Sequence, residues 1–170
     1  MNFFHKSNTS KKVQIQEIFE GIERANLVPE KYFSVFSHIA ELVLNVYHHS
    51  TSSSFLCVNW SLNIEKINNK LIITVSDSGQ GIEESLKAKN IKNTDLNKLI
   101  EFAVEETLDD RGQGLRAIYD SVKAGEIHAL QIKSSQVKYF VDLNNKSIDT
   151  LDINYQGVEA QLVVMLGEVS

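Results

Sequence analysis

Three short stretches of this chain carry the residue types that chemistry uses. In the first, Glu41-Leu42-Val43-Leu44-Asn45-Val46-Tyr47-His48-His49-Ser50, the polar residues Glu41, Asn45 and His49 recur every four positions. On a helix that spacing puts all three on one face, and His38, three residues before Glu41, flanks the same face. The neighbouring positions are strongly apolar, so these groups lie within or beside a buried surface, where an unpartnered carboxylate or amide costs several kcal/mol. A ligand, metal or water site would supply the partners, and a solvated polar stripe explains the spacing equally well. The second stretch is Asp77-Ser78-Gly79-Gln80-Gly81-Ile82, straight after a strand-like run. Its glycines let the backbone turn sharply and approach a ligand, and its aspartate can accept from an exocyclic amine; a plain turn is the alternative. The third is Arg111-Gly112-Gln113-Gly114-Leu115, just before a helix-like run. Amides at a helix start point outward and favour phosphate, although a helix-entry turn often looks the same.

Together the stretches say more. Four of the eight glycines fall in the two short turns, which argues that they are placed for backbone approach. The common phosphate patterns Gly-x-x-x-x-Gly-Lys-Ser/Thr and Gly-x-Gly-x-x-Gly are absent.

The elements that must position these residues can be read from periodicity. Residues 1–11 are polar and are expected to form a flexible tail. Ile15, Ile18, Phe19 and Ile22 sit at helical spacing, so residues 13–27 read as a short amphipathic helix. A second helix is expected from Pro29, the only proline, to His49. Strands at 55–64 and 70–76, joined by Asn68-Asn69, form an antiparallel hairpin. Residues 83–111 form a long polar segment with one amphipathic piece around Leu96, Leu99, Ile100, Ala103 and Val104. Another helix opens at Gly112, and strands follow at 129–133, 137–143, 150–155 and 158–166. The expected fold is α+β: a two-layer sandwich with one mixed, mostly antiparallel sheet covered by helices, in a single domain spanning 1–170.

Bulk properties limit the function classes. The chain has 170 residues, enough for one domain with a sizeable core. Its 42% hydrophobic and 23% charged residues mark a globular protein. A net charge of −5 gives no broad attraction for nucleic acid or anionic lipid, so neither is an expected partner. The lone Cys57, within the apolar run Phe55-Leu56-Cys57-Val58, reads as a buried inert thiol. No apolar run approaches the ~20 residues of a membrane helix, and the expected compartment is the cytoplasm.

The order and spacing of the three stretches resemble the GHKL superfamily of ATP-binding domains, closest in size to the anti-sigma-factor serine kinases. Helix 41–50 resembles the family's asparagine box, Asp77 to Ile82 its first glycine box, Gly112 to Leu115 its second, and Gly157 its final glycine position; the resemblance spans about residues 33 to 166. It implies ATP and Mg2+ as ligands, with Asn45 on the metal and Asp77 on the adenine amino group. Gly79, Gly81 and Ile82 would shape the adenine pocket, and Gly112, Gly114 and Leu115 would cradle the phosphates. It further implies Glu41 as the group polarising an attacking water or hydroxyl, His49 as a polar residue near the phosphates, and 83–111 as a mobile ATP lid. Arg111 is the lid residue suited to neutralising charge. Arg116 reads either as a phosphate contact or as a solvent-facing helix residue. One departure is clear: Val158 stands where the family commonly has threonine. The implied function is a regulatory ATPase or protein kinase acting with a protein partner, with a homodimer as the family's assembly. The alternative is a nucleotide-dependent switch that hydrolyses little.

Overall fold

Among the described residues, alternating apolar and polar residues along five segments make the strands, and helical periodicity along five others makes the layer that covers them. The computed structural model describes residues 2–11, 15–24, 27, 29–52, 56–91, 95–106 and 114–166. In chain order the elements are β1 (Asn2–Asn8), α1 (Ile15–Arg24), α2 (Pro29–His49), β2 (Asn59–Ile67) and β3 (Lys70–Asp77), followed by α3 (Gly81–Ala88), α4 (Leu96–Glu105), α5 (Gly114–Lys123), β4 (Ala129–Asp142) and β5 (Lys146–Met165). The strands form one sheet in the order β1-β2-β3-β5-β4. This is the expected α+β sandwich, and all four pairings are antiparallel rather than mixed.

The sheet buries one face. Leu71, Ile73 and Val75 of β3 lie opposite Val164, Leu162 and Ala160 of β5, and all six are buried. Leu130 and Ile132 of β4 continue the same rows. Against this face α2 packs Ile39, Leu42, Val43 and Val46, and α5 contributes Ile118 and Val122. Alternation along the strand therefore decides which residues meet the helices. At the end of the buried face those rows run out into polar residues, Asp77 on β3 and Ser134 on β4.

Several expectations need correction. Residues 2–8 are an edge strand and not a tail: Phe3 pairs with Ile64 of β2 and is buried in the core. Its polar composition misled because one buried aromatic plus backbone pairing suffices for an edge strand. The described residues after Gly81, up to Glu106, are largely helical. α3 carries the ion pairs of Lys87 with Glu83 and Glu84 on its surface, and α4 is capped by Asp95, which accepts from the backbone of Asn97 and Lys98. Tyr139 donates to Glu105 at 2.8 Å and Lys146 pairs with the same carboxylate at 3.0 Å, tying α4 to β4 and β5. The four expected C-terminal strands are two long ones, broken only by register shifts at Ser134 and Ser135. Cys57 is exposed rather than buried.

No helix among the described residues is long and apolar enough to cross a membrane.

Candidate functional site

The candidate site is a cavity between α2, α3, the start of α5 and the end of the sheet, and its chemistry begins at Asp77. β3 delivers this carboxylate to the buried face, where it is only 9% exposed. The Gly79 N–H donates to its Oδ1 at 2.8 Å, and the Val158 N–H donates to it as well. Burial pushes its pKa up to about 6, and the two backbone donors pull in the opposite direction without cancelling the effect.

Two glycines make the surroundings of this carboxylate possible. Gly157 has φ +79, and a Cβ there would lie 2.1 Å from the Asp77 carbonyl oxygen, so no side chain fits. At Gly79 a Cβ would fall 2.4 Å from the Ser50 carbonyl, so the turn after β3 lies directly on the end of α2. Gln80 fastens the same junction: its side-chain amide donates to the carbonyls of His49 at 2.6 Å and Thr51 at 3.1 Å.

The α2 face identified by spacing turns toward α5. Glu41 and Asn45 are half-buried. A Cβ on Gly114 would lie 2.8 Å from Glu41 Oε2 and 3.2 Å from Asn45 Nδ2, so the start of α5 approaches both side chains as closely as a residue without a side chain allows. His38, on the same flank, is committed elsewhere. It is buried, its Nε2 lies 3.0 Å from the Ser121 hydroxyl of α5, and burial lowers its pKa while Glu126 pulls it back up. α2 and α5 therefore run antiparallel, with His38 at one end of the contact and the Glu41–Asn45 pair at the other.

Asn45, His49, Asp77, Gly81, Ile82 and Leu115, from all three sequence stretches, line this one cavity. Glu41, Gly79 and Gly114 adjoin it through the contacts just given. Arg111 and Gly112 lie outside the described residues. Leu42, Val46, Val75, Leu86 and Ala160 supply apolar walls, and Val158 lines the cavity beside Asp77. Arg116 is engaged elsewhere: it pairs with Asp120 at 2.9 Å and donates to the Glu105 carbonyl.

Sequence reasoning missed three polar contributors. Ser85 on α3 and Lys89, the residue just past its end, both line the cavity, and their four-residue spacing would have found them had α3 been recognised. Ser134 sits fully buried on β4 and bonds both the Ile82 N–H and the Gly157 carbonyl; a serine within a strand gives no local signal. Among the described residues no cluster of three or more His, Cys, Asp or Glu side chains could hold a metal ion unaided. No known family model matches the chain, and no curated protein matches it.

Proposed function

We propose that this chain binds ATP with magnesium and acts as a regulatory ATPase or protein kinase of the GHKL type, in the cytoplasm and with a protein partner. The observation that carries the reading is convergence: residues from three stretches distant in sequence line one cavity that has a buried carboxylate at its base. The cavity is apolar where a base would stack and polar at Asn45, His49 and Lys89. Such a division suits a ligand with an aromatic end and an anionic end.

The roles follow from position. Asp77 accepts from the exocyclic amine of adenine, a bond strengthened by the carboxylate charge. Asn45 offers an amide oxygen of the kind magnesium takes while keeping several of its waters. Magnesium, when bound, would supply charge neutralisation at the phosphate oxygens. Gly114 keeps the start of α5 within reach of the same place, where helix-start amides share negative charge. Glu41, one turn before Asn45, takes the proton of an attacking water or partner hydroxyl.

A second reading, a nucleotide-dependent switch with little hydrolysis, is favoured by Val158. Its N–H serves Asp77, but its side chain has no hydroxyl to hold a water beside the base. The variant Glu41→Ala separates the two. Retained ATP affinity with turnover lowered ~10²–10⁴-fold supports a general base. A parent without turnover, alone or with candidate partner proteins, supports the switch.

A further inference from the structure

Ser134 sits where the two turns around Asp77 meet. Its side chain is fully buried on β4, at the polar end of the sheet's inner face. The hydroxyl accepts from the Ile82 N–H at 3.0 Å and donates to the Gly157 carbonyl at 3.0 Å. One side chain thus joins the start of α3 to the turn that presses on Asp77.

Both contacts fill a need that the local sequence leaves open. The first amides of a helix have no partner within it, and a side chain at the N-cap normally supplies one. Gln80, at the N-cap of α3, makes no such bond, because its amide is held by the carbonyls of His49 and Thr51. Ser134 caps α3 from another strand. On the other side, β4 and β5 lose register here: Ser134 pairs with Val158 but Ser135 pairs with Tyr155, so Gln156 and Gly157 bulge out of the ladder. Gly157, with φ +79, is pushed against Asp77, and its carbonyl is held by Ser134. Gln156 donates to the Ser78 carbonyl at 3.2 Å, fastening the bulge to the turn after β3.

We infer that Ser134 is a positioning residue for the cavity: it caps α3 and holds the Gly157 bulge, so that Ile82 keeps its place in the cavity wall and the Val158 N–H keeps its place on the Asp77 carboxylate. The part of this inference that concerns ligand affinity rests on the nucleotide reading above; the bracing of Asp77 does not.

The test uses Ser134→Ala, and Ser134→Cys, which keeps the size but bonds weakly. Val164→Ala serves as the control, a core deletion six residues along β5 from Val158 and so about 20 Å away. Amide exchange at Ile82, the NMR titration of the Asp77 carboxyl carbon, and calorimetry with Mg-ATP are read on each. Ser134→Ala should speed Ile82 exchange, raise the Asp77 titration midpoint as the Val158 donor loosens, and weaken ATP about tenfold. Ser134→Cys should fall between it and the parent, and Val164→Ala should lower stability while leaving the Asp77 midpoint unchanged. A parent Ile82 amide that exchanges like a solvent-facing one overturns the inference even if neither Ser134 variant folds. An unchanged Asp77 midpoint in folded Ser134→Ala also overturns it. A parent that binds no ATP sinks the nucleotide reading, and the carboxyl titration still decides the brace.

Discussion

Asp77→Asn should make the empty protein more stable at neutral pH while weakening its affinity for ATP. The carboxyl has an ordinary value of 3.8 and is pushed up to about 6 in the fold, chiefly by burial. A raised acid pKa means that the protonated form fits the fold better. Its contribution to stability is fully present below 3.8 and is lost as pH rises through about 6. At about 1.4 kcal/mol for each pH unit between the two values, the ionised carboxylate costs the empty fold about 3 kcal/mol at pH 8. Asparagine removes the charge and keeps an oxygen that can accept from the Gly79 N–H, now at 2.8 Å. The assay is urea unfolding of parent and variant at intervals from pH 4 to 8. The difference between them cancels every other titrating group. Starting near zero at pH 4, it should grow by about 2–3 kcal/mol in favour of the variant by pH 8. A difference that stays flat across this range, or that favours the parent at pH 8, would refute the claim that an ionised carboxylate is held in the cavity at a cost to the fold.

Other expectations are narrower. Gly157→Ala places a methyl 2.1 Å from the Asp77 carbonyl oxygen at φ +79, and should lower unfolding free energy by at least about 2 kcal/mol; a urea midpoint matching the parent's would contradict the packing described. Asn45→Ala should weaken the dependence of ATP binding on magnesium more than binding itself, and superimposable magnesium titrations of variant and parent would remove Asn45 as the metal residue. Hydrogen exchange in α3 and α4 should slow when an ATP analogue binds, since lids order on their ligands; unchanged exchange alongside confirmed binding rules out a lid in these helices.

Much of the site was legible because its parts are local. The four-residue recurrence of Glu41, Asn45 and His49 needs only a helix, and α2 runs over the expected Pro29–His49. The turn after β3 was visible as Asp77 followed by two glycines, and the hairpin as Asn68-Asn69, with Asn68 at φ 54. What was hidden depends on contacts between distant segments. β1 becomes a strand by pairing with β2, from Asn2 opposite Glu65 to Asn8 opposite Asn59. α3 is short, with three charged residues, Glu83, Glu84 and Lys87, so its apolar stripe reduces to Ile82 and Leu86. Phe33, an apolar residue near the start of α2, is 76% exposed, because the helix presents His38, Glu41 and Asn45 to α5 instead. Ser134 gains its role from a bulge between β4 and β5 that no local pattern announces.

The central claim is tested most directly by calorimetry of the parent chain with Mg-ATP, Mg-GTP and, in parallel, Asp77→Asn with Mg-ATP. ATP should bind, GTP should bind much more weakly because its six-position oxygen would face the Asp77 acceptor, and the variant should lose ~1.5–3 kcal/mol of ATP affinity, the worth of a charge-assisted hydrogen bond. No heat with ATP, equal affinity for ATP and GTP, or an Asp77→Asn variant that binds ATP like the parent would contradict the account.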